Sequence, residues 1–137
     1  TWHLVFEMSP DSVSTPVVVS YDTVGPQGSS PSTVPLPQPN DRVMVKDLLI
    51  LRTGLDFTVT RTDGTSAVGL EPYLGMAAHL IAMRPADLAY AHLHPSMTMK
   101  DMFMFGSKLP EAGRYELFLQ FGYKGEVLTV PFTVEQP

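Results

Sequence analysis

The chain has 137 residues, 44% of them hydrophobic and only 17% charged, with a formal net charge of −5 and no cysteine. That length and apolar content suit one packed domain and exclude a wholly disordered chain, while the acidic balance and the lack of any Lys/Arg cluster exclude a nucleic-acid binder. Neither a disulfide framework nor a thiolate metal site is possible, and no apolar run approaches the roughly 20 residues of a membrane-crossing helix, so the chain reads as soluble, with no transmembrane segment.

Short runs rich in Val, Leu, Phe, Tyr and Thr alternate with Gly, Pro, Asp and Ser clusters, the pattern of strands separated by turns. In chain order the candidates are Trp2–Met8, Pro16–Tyr21, Arg42–Leu51, Asp56–Arg61, Ala77–Met83, Leu88–His94, Met102–Phe105, Arg114–Tyr123 and Val127–Val134. No amphipathic helix is apparent. Between the second and third strands, Val24–Asn40 carries five prolines and little to bury, which favours an extended linker over a proline-rich ligand for an SH3-type module. The expected organisation is therefore N-terminal strands with a Pro/Ser-rich extended segment over residues 1–40, followed by an Ig-like antiparallel β-sandwich over 41–137.

Thr62-Asp-Gly64 and Tyr123-Lys-Gly125 read as hairpin loops, and Pro110-Glu-Ala-Gly113 breaks the chain before the penultimate strand. In the last two strands Tyr115, Leu117, Leu119, Phe121 and Tyr123 share a face that Leu128, Val130, Phe132 and Val134 continue, so this hairpin belongs to the core. Pro131 falls on the outward set and lacks an amide donor, which places its strand at an edge or a bulge.

The chemistry concentrates in the middle of the chain, where three of the four histidines fall within residues 79–94. Arg84-Pro-Ala-Asp87 reads as a four-residue loop; with Met83 facing Leu88, antiparallel pairing sets His79 opposite His92, with His94 two residues on along the same face. Opposed Cβ atoms lie roughly 4.5–5.5 Å apart, close enough for imidazoles to share an ion at the roughly 2.0–2.1 Å typical of Zn–N bonds. The other face carries Ala78, Leu80, Ala82, Ala89, Ala91 and Leu93 and reads as core. Neutral nitrogen donors suit zinc, copper or nickel.

Four of the eight methionines follow at once, as Met97, Met99, Met102 and Met104. Soft thioethers favour Cu(I), and Met97 or Met99, in an expected loop after His94, are candidate caps for the histidine site; ordinary adaptable packing is the alternative. For the histidines the alternative is a cluster bonded to backbone or to Tyr90 without an ion. His3 is expected on the surface or in packing.

From about Asp56 onward, over about 80 of the 137 residues, the chain resembles bacterial secreted or membrane-anchored Ig-like β-sandwich domains similar to the YtkA-like family. The resemblance is carried by Thr62-Asp-Gly64, Glu71-Pro-Tyr-Leu-Gly75, Ala78-His79-Leu80, Asp87-Leu-Ala-Tyr-Ala-His92-Leu-His94-Pro95, Pro110–Phe121 and Val130-Pro-Phe-Thr-Val134. It implies a cell-envelope sandwich of the kind often found near copper or heavy-metal handling proteins, with no agreed enzymatic activity. His79 matches the histidine after the Gly-rich turn, and His92 and His94 match a His-x-His-Pro pair. Relatives often carry a further histidine in the last strand, where this chain has Leu128.

Enzymatic readings find less support. The His-x-His pair lacks the carboxylate that a cupin places a few residues on, no serine sits in a Gly-x-Ser-x-Gly elbow, and nothing in the sequence brings Glu71 or Asp101 to the histidines as a general base. The expectation is a non-enzymatic, extracytoplasmic module binding copper or zinc through His79, His92, His94 and Met97 or Met99. The alternative is an Ig-like structural or protein-interaction domain that meets an envelope partner without metal. The start at Thr1, the low charge and the thirteen prolines carry the extracytoplasmic expectation.

Overall fold

The alternating pattern is realised as strands in the computed structural model, which describes residues 2–8, 17–23, 37–106 and 109–137 and contains no helix among them. The chain forms two units, Thr1–Pro35 and Leu36–Pro137. In the first, β1 (Trp2–Met8) pairs antiparallel with β2 (Val17–Thr23), Trp2 lying opposite Thr23 and Met8 opposite Val17. Most of the Pro/Ser-rich segment, residues 24–36, lies outside the described residues.

The second unit contains β3 (Arg42–Val45), β4 (Leu48–Thr53), β5 (Asp56–Arg61), β6 (Leu70–Glu71), β7 (His79–Arg84), β8 (Ala89–Leu93), β9 (Met97–Met99), β10 (Met102–Met104), β11 (Gly113–Tyr123) and β12 (Glu126–Gln136). They build two antiparallel sheets, ordered β3-β4-β5-β10-β9 and β12-β11-β7-β8, with β6 added to the end of β11. The inward residues of the first sheet, Leu48, Ile50, Phe57, Val59 and Phe103, meet those of the second, among them Leu80, Leu117, Leu119, Phe121 and Phe132, all buried. Phe57 against Phe132 (centroids 5.2 Å apart) and Phe103 against Phe121 (5.6 Å) join the layers. This is an all-β sandwich, as the alternation predicts.

The closing hairpin follows expectation most closely. Lys124 and Gly125 take φ of 50° and 80°, the doubly positive turn that matches strand twist, and Tyr123 pairs with Glu126. β12 is the outermost strand of its sheet. On its free edge Thr133 N donates to Asn40 Oδ1 at 2.7 Å; Pro131, two residues earlier, points its missing donor the same way, so no ladder bond is lost.

Two expectations need correction. Arg42–Leu51 is a hairpin rather than one strand, turning at Lys46-Asp47 with Lys46 at φ 52°. No glycine or proline marks that turn; it is held instead by Asp47, whose carboxylate accepts bonds from Tyr123 Oη at 3.0 Å and Lys124 Nζ at 3.2 Å. The Lys124 ammonium, with Tyr123, holds the Asp47 carboxyl below the usual carboxylate range, and the bonds fasten the turns of the two sheets together. Residues 97–99, expected in a loop, form the edge strand β9.

At the β7–β8 turn, buried Arg84 gathers three partners. Its Nε and Nη2 donate to Asp87 at 2.8 and 2.6 Å, Nη1 donates to the Ala112 carbonyl at 2.8 Å, and Nη2 also pairs with Glu111. The guanidinium, first among its causes, holds the Asp87 carboxyl below its ordinary range. A lowered folded-state pKa stabilises fully above the unfolded value and ceases to do so as pH falls through the folded one. Asp87→Asn is therefore expected to flatten the loss of stability between about pH 5 and pH 2, around the ordinary Asp value of about 3.9. Urea midpoints measured across that range, with identical slopes for both proteins, would refute it.

Candidate metal centre

The turn slides by one residue from its expected place. Arg84 pairs with Ala89, leaving Pro85–Leu88 as the loop, and Leu88 takes φ 62° to close it. The register consequently pairs Ile81, not His79, with His92, and Met83 with Tyr90; one further step of the ladder brings His94 level with His79. A shift of two leaves every side chain on its expected face. Ala78, Leu80 and Ala82 are fully buried in the core, and the three histidines share the other face.

There the imidazoles converge. Ring centroids lie 5.1 Å apart for His79 and His92, 4.9 Å for His79 and His94, and 4.9 Å for His92 and His94. One ligating nitrogen from each falls within 4.8 Å of the others, and this is the group of metal-ligating side chains found among the described residues. Two nitrogens on a tetrahedral ion at about 2.0–2.1 Å stand about 3.3 Å apart, so small ring movements separate the cluster from a coordination shell.

His79 forms the buried floor, at 5% exposed, with His92 half-buried and His94 exposed. Its Nε2 lies 2.8 Å from the Tyr73 carbonyl. A carbonyl oxygen only accepts, so Nε2 carries the proton and donates; in the neutral ring Nδ1 then keeps its lone pair. That lone pair points into the cluster, 2.9 Å from His92 Nε2. Metal-bound histidines are typically oriented by such a bond from the far ring nitrogen to a carbonyl.

Tyr73 is the functional residue that sequence reasoning missed. Tyr73 and Met76 exchange backbone bonds of 2.8 and 3.1 Å around Leu74 and Gly75, which take φ of 48° and 79°. This tight turn fixes the carbonyl, and the Tyr73 ring packs edge-on to His79 at 5.6 Å. The available signal was Pro72-Tyr-Leu-Gly75, turn chemistry just upstream of His79.

The other sequence candidates lie elsewhere. Met97 and Met99 stand on β9, at the edge of the opposite sheet, 56% and 58% exposed. Glu71 Oε2 accepts from Gly125 N at 3.1 Å, and both Asp101 carboxylate oxygens accept from Ser66 Oγ at 2.8 and 2.7 Å. Leu128 is buried in the core, on the opposite face of the sheet from the histidines. Its side chain does not stand where a ligand is missing from this trio.

The trio thus offers three neutral nitrogen donors, one pre-oriented, with an exposed mouth where a further ligand or water can bind. Such an arrangement fits a late first-row transition ion. A family model described as a domain of unknown function, DUF8832, matches residues 50–137, which include all three histidines. No curated protein and no solved structure matches the chain.

Proposed function

We propose that this chain, which belongs to the DUF8832 family, is an extracytoplasmic copper-binding module whose ion sits on His79, His92 and His94. The observation that carries the reading is the bond from His79 Nε2 to the Tyr73 carbonyl, which leaves Nδ1 directed at the other two rings. In the metal-free molecule that lone pair accepts a bond from His92 Nε2, and an ion entering the cluster would take it over in place of the proton. Copper is preferred to zinc because an all-nitrogen site follows the Irving–Williams order, in which Cu(II) binds most tightly.

The proposed role is binding rather than catalysis, since the carboxylates of Glu71 and Asp101 already accept bonds from the Gly125 amide and the Ser66 hydroxyl and neither belongs to the histidine group. A location outside the cytoplasm belongs to the same proposal; it is supported by the low charge and the thirteen prolines and by the resemblance to envelope sandwich domains.

The test is calorimetry on untagged, chelator-stripped protein beside the His92→Ala/His94→Ala double variant. One equivalent of Cu(II) is expected to bind the parent, with affinity reduced by at least about a hundredfold in the variant, as removal of ligands requires. Equal binding by both proteins, or none by the parent, would refute the assignment.

A further inference from the structure

The short β9–β10 hairpin places four methionines on one face. Met99 lies opposite Met102 and Met97 opposite Met104, while Thr98 and Phe103 form the intervening pair on the other face. Side chains alternate along a strand, so all four thioethers leave the same side of the sheet. That side is the outward one, because Phe103 points into the core at 3% exposed while Met97 and Met99 stand 56% and 58% exposed. Met102 and Met104 are half-buried beside Thr58 and Asp56 of β5.

We propose that Met97, Met99, Met102 and Met104 form a second metal site, selective for a soft monovalent ion, Cu(I) or Ag(I), and separate from the histidine trio. Opposed Cβ atoms on such a hairpin are roughly 4.5–5.5 Å apart and diagonal ones roughly 7–8 Å. Each methionine is unbranched and flexible, with its sulfur two bonds beyond Cβ, so thioethers from both strands can turn inward to one ion. Binding is simple association: lone pairs on sulfur coordinate the ion, no bond breaks, no electron moves and no proton is displaced.

The donor set decides the chemistry. Thioethers are soft and neutral and select Cu(I)-type ions over zinc and harder cations. The acids beside the hairpin are engaged: Asp56, opposite Met104, accepts the Phe105 amide at 3.0 Å through Oδ1, and Asp101, in the turn, accepts from Ser66 Oγ. The pairing adds a reason for methionine here: Met97 and Met99 are held out in water, where large apolar side chains gain nothing unless something engages them. Because the trio belongs to the other sheet, the two sites differ in position as well as in preferred ion.

The experiment titrates untagged protein with Ag(I) and follows the methionine methyl resonances by NMR. Three proteins are compared: the parent, the His92→Ala/His94→Ala variant, and a variant carrying Leu at 97, 99, 102 and 104. Leucine preserves volume and apolarity, so melting temperature reports whether the last still folds. One equivalent of Ag(I) is expected to shift the methyls of residues 97, 99, 102 and 104 in the parent and in the histidine variant. The leucine variant should lose that equivalent while keeping its Cu(II) response. Undiminished Ag(I) binding by the leucine variant, or shifts confined to other methionines, would overturn the site. If the leucine set unfolds, single Met97→Leu and Met99→Leu variants serve, each expected to weaken Ag(I) binding, and unchanged affinity in both would overturn it equally.

Discussion

Loading the stripped protein with copper is expected to raise its melting temperature by roughly 16–33 °C when the free ion is held near a thousandfold above the dissociation constant. An ion that binds only the folded state stabilises by about 4.1 kcal/mol at that excess, and for a domain of about 100 residues each kcal/mol moves the midpoint by about 4–8 °C. His94 offers the cleanest control. It is the exposed member of the trio, so His94→Ala removes a ligand without opening the core, and the metal-free midpoint should scarcely move. If the lost ligand weakens binding about a hundredfold, the same free copper stabilises by only about 1.4 kcal/mol, and the shift falls to about a third. Differential scanning of the four states checks this; an undiminished copper shift in His94→Ala would remove His94 from the site.

What the sequence reveals of this site, and what it conceals, follows from the period of a strand. Side chains alternate with period two, so the shared face of His79, His92 and His94 is legible in spacing alone and survives any even slip of register. The pairing is not legible in the same way. Whether His92 meets His79 or Ile81 depends on where a four-residue loop closes, and that is settled by Leu88 accepting a left-handed conformation and by Arg84 gripping Asp87. Neither is a local preference: leucine disfavours that conformation, and Arg84 is also held from a distance by Ala112 and Glu111.

The same division explains the strands. The β11–β12 hairpin carries both alternation and a Lys-Gly turn, and its two faces appear as read. The Lys46-Asp47 turn carries no such mark, because Tyr123 and Lys124, nearly eighty residues away, hold it. Tyr73 escaped notice for a related reason. It acts on His79 through its carbonyl, a group that every residue possesses and that only the fold can aim.

Phe57→Ala is expected to cost about 3–5 kcal/mol, the usual range for removing a buried phenylalanine. Phe57 is fully buried on β5 and touches rings in both layers, Phe105 edge-on at 5.9 Å and Phe132 of the facing sheet at 5.2 Å. The loss is large against a total of about 5–15 kcal/mol for a typical domain, so the metal-free variant should be marginal. The histidine trio, by contrast, is assembled within one sheet, on β7, the end of β8 and the Tyr73 turn, on the face away from this aromatic contact. Its ion affinity in the folded molecule should therefore be unchanged. Because the copper increment of about 4.1 kcal/mol matches the cavity cost in size, loaded Phe57→Ala should melt close to metal-free parent. Denaturation of the parent and the variant, each with and without copper, measures both quantities. An increment that shrinks in Phe57→Ala would mean that the histidine geometry depends on packing between the sheets, contrary to a site built by one of them.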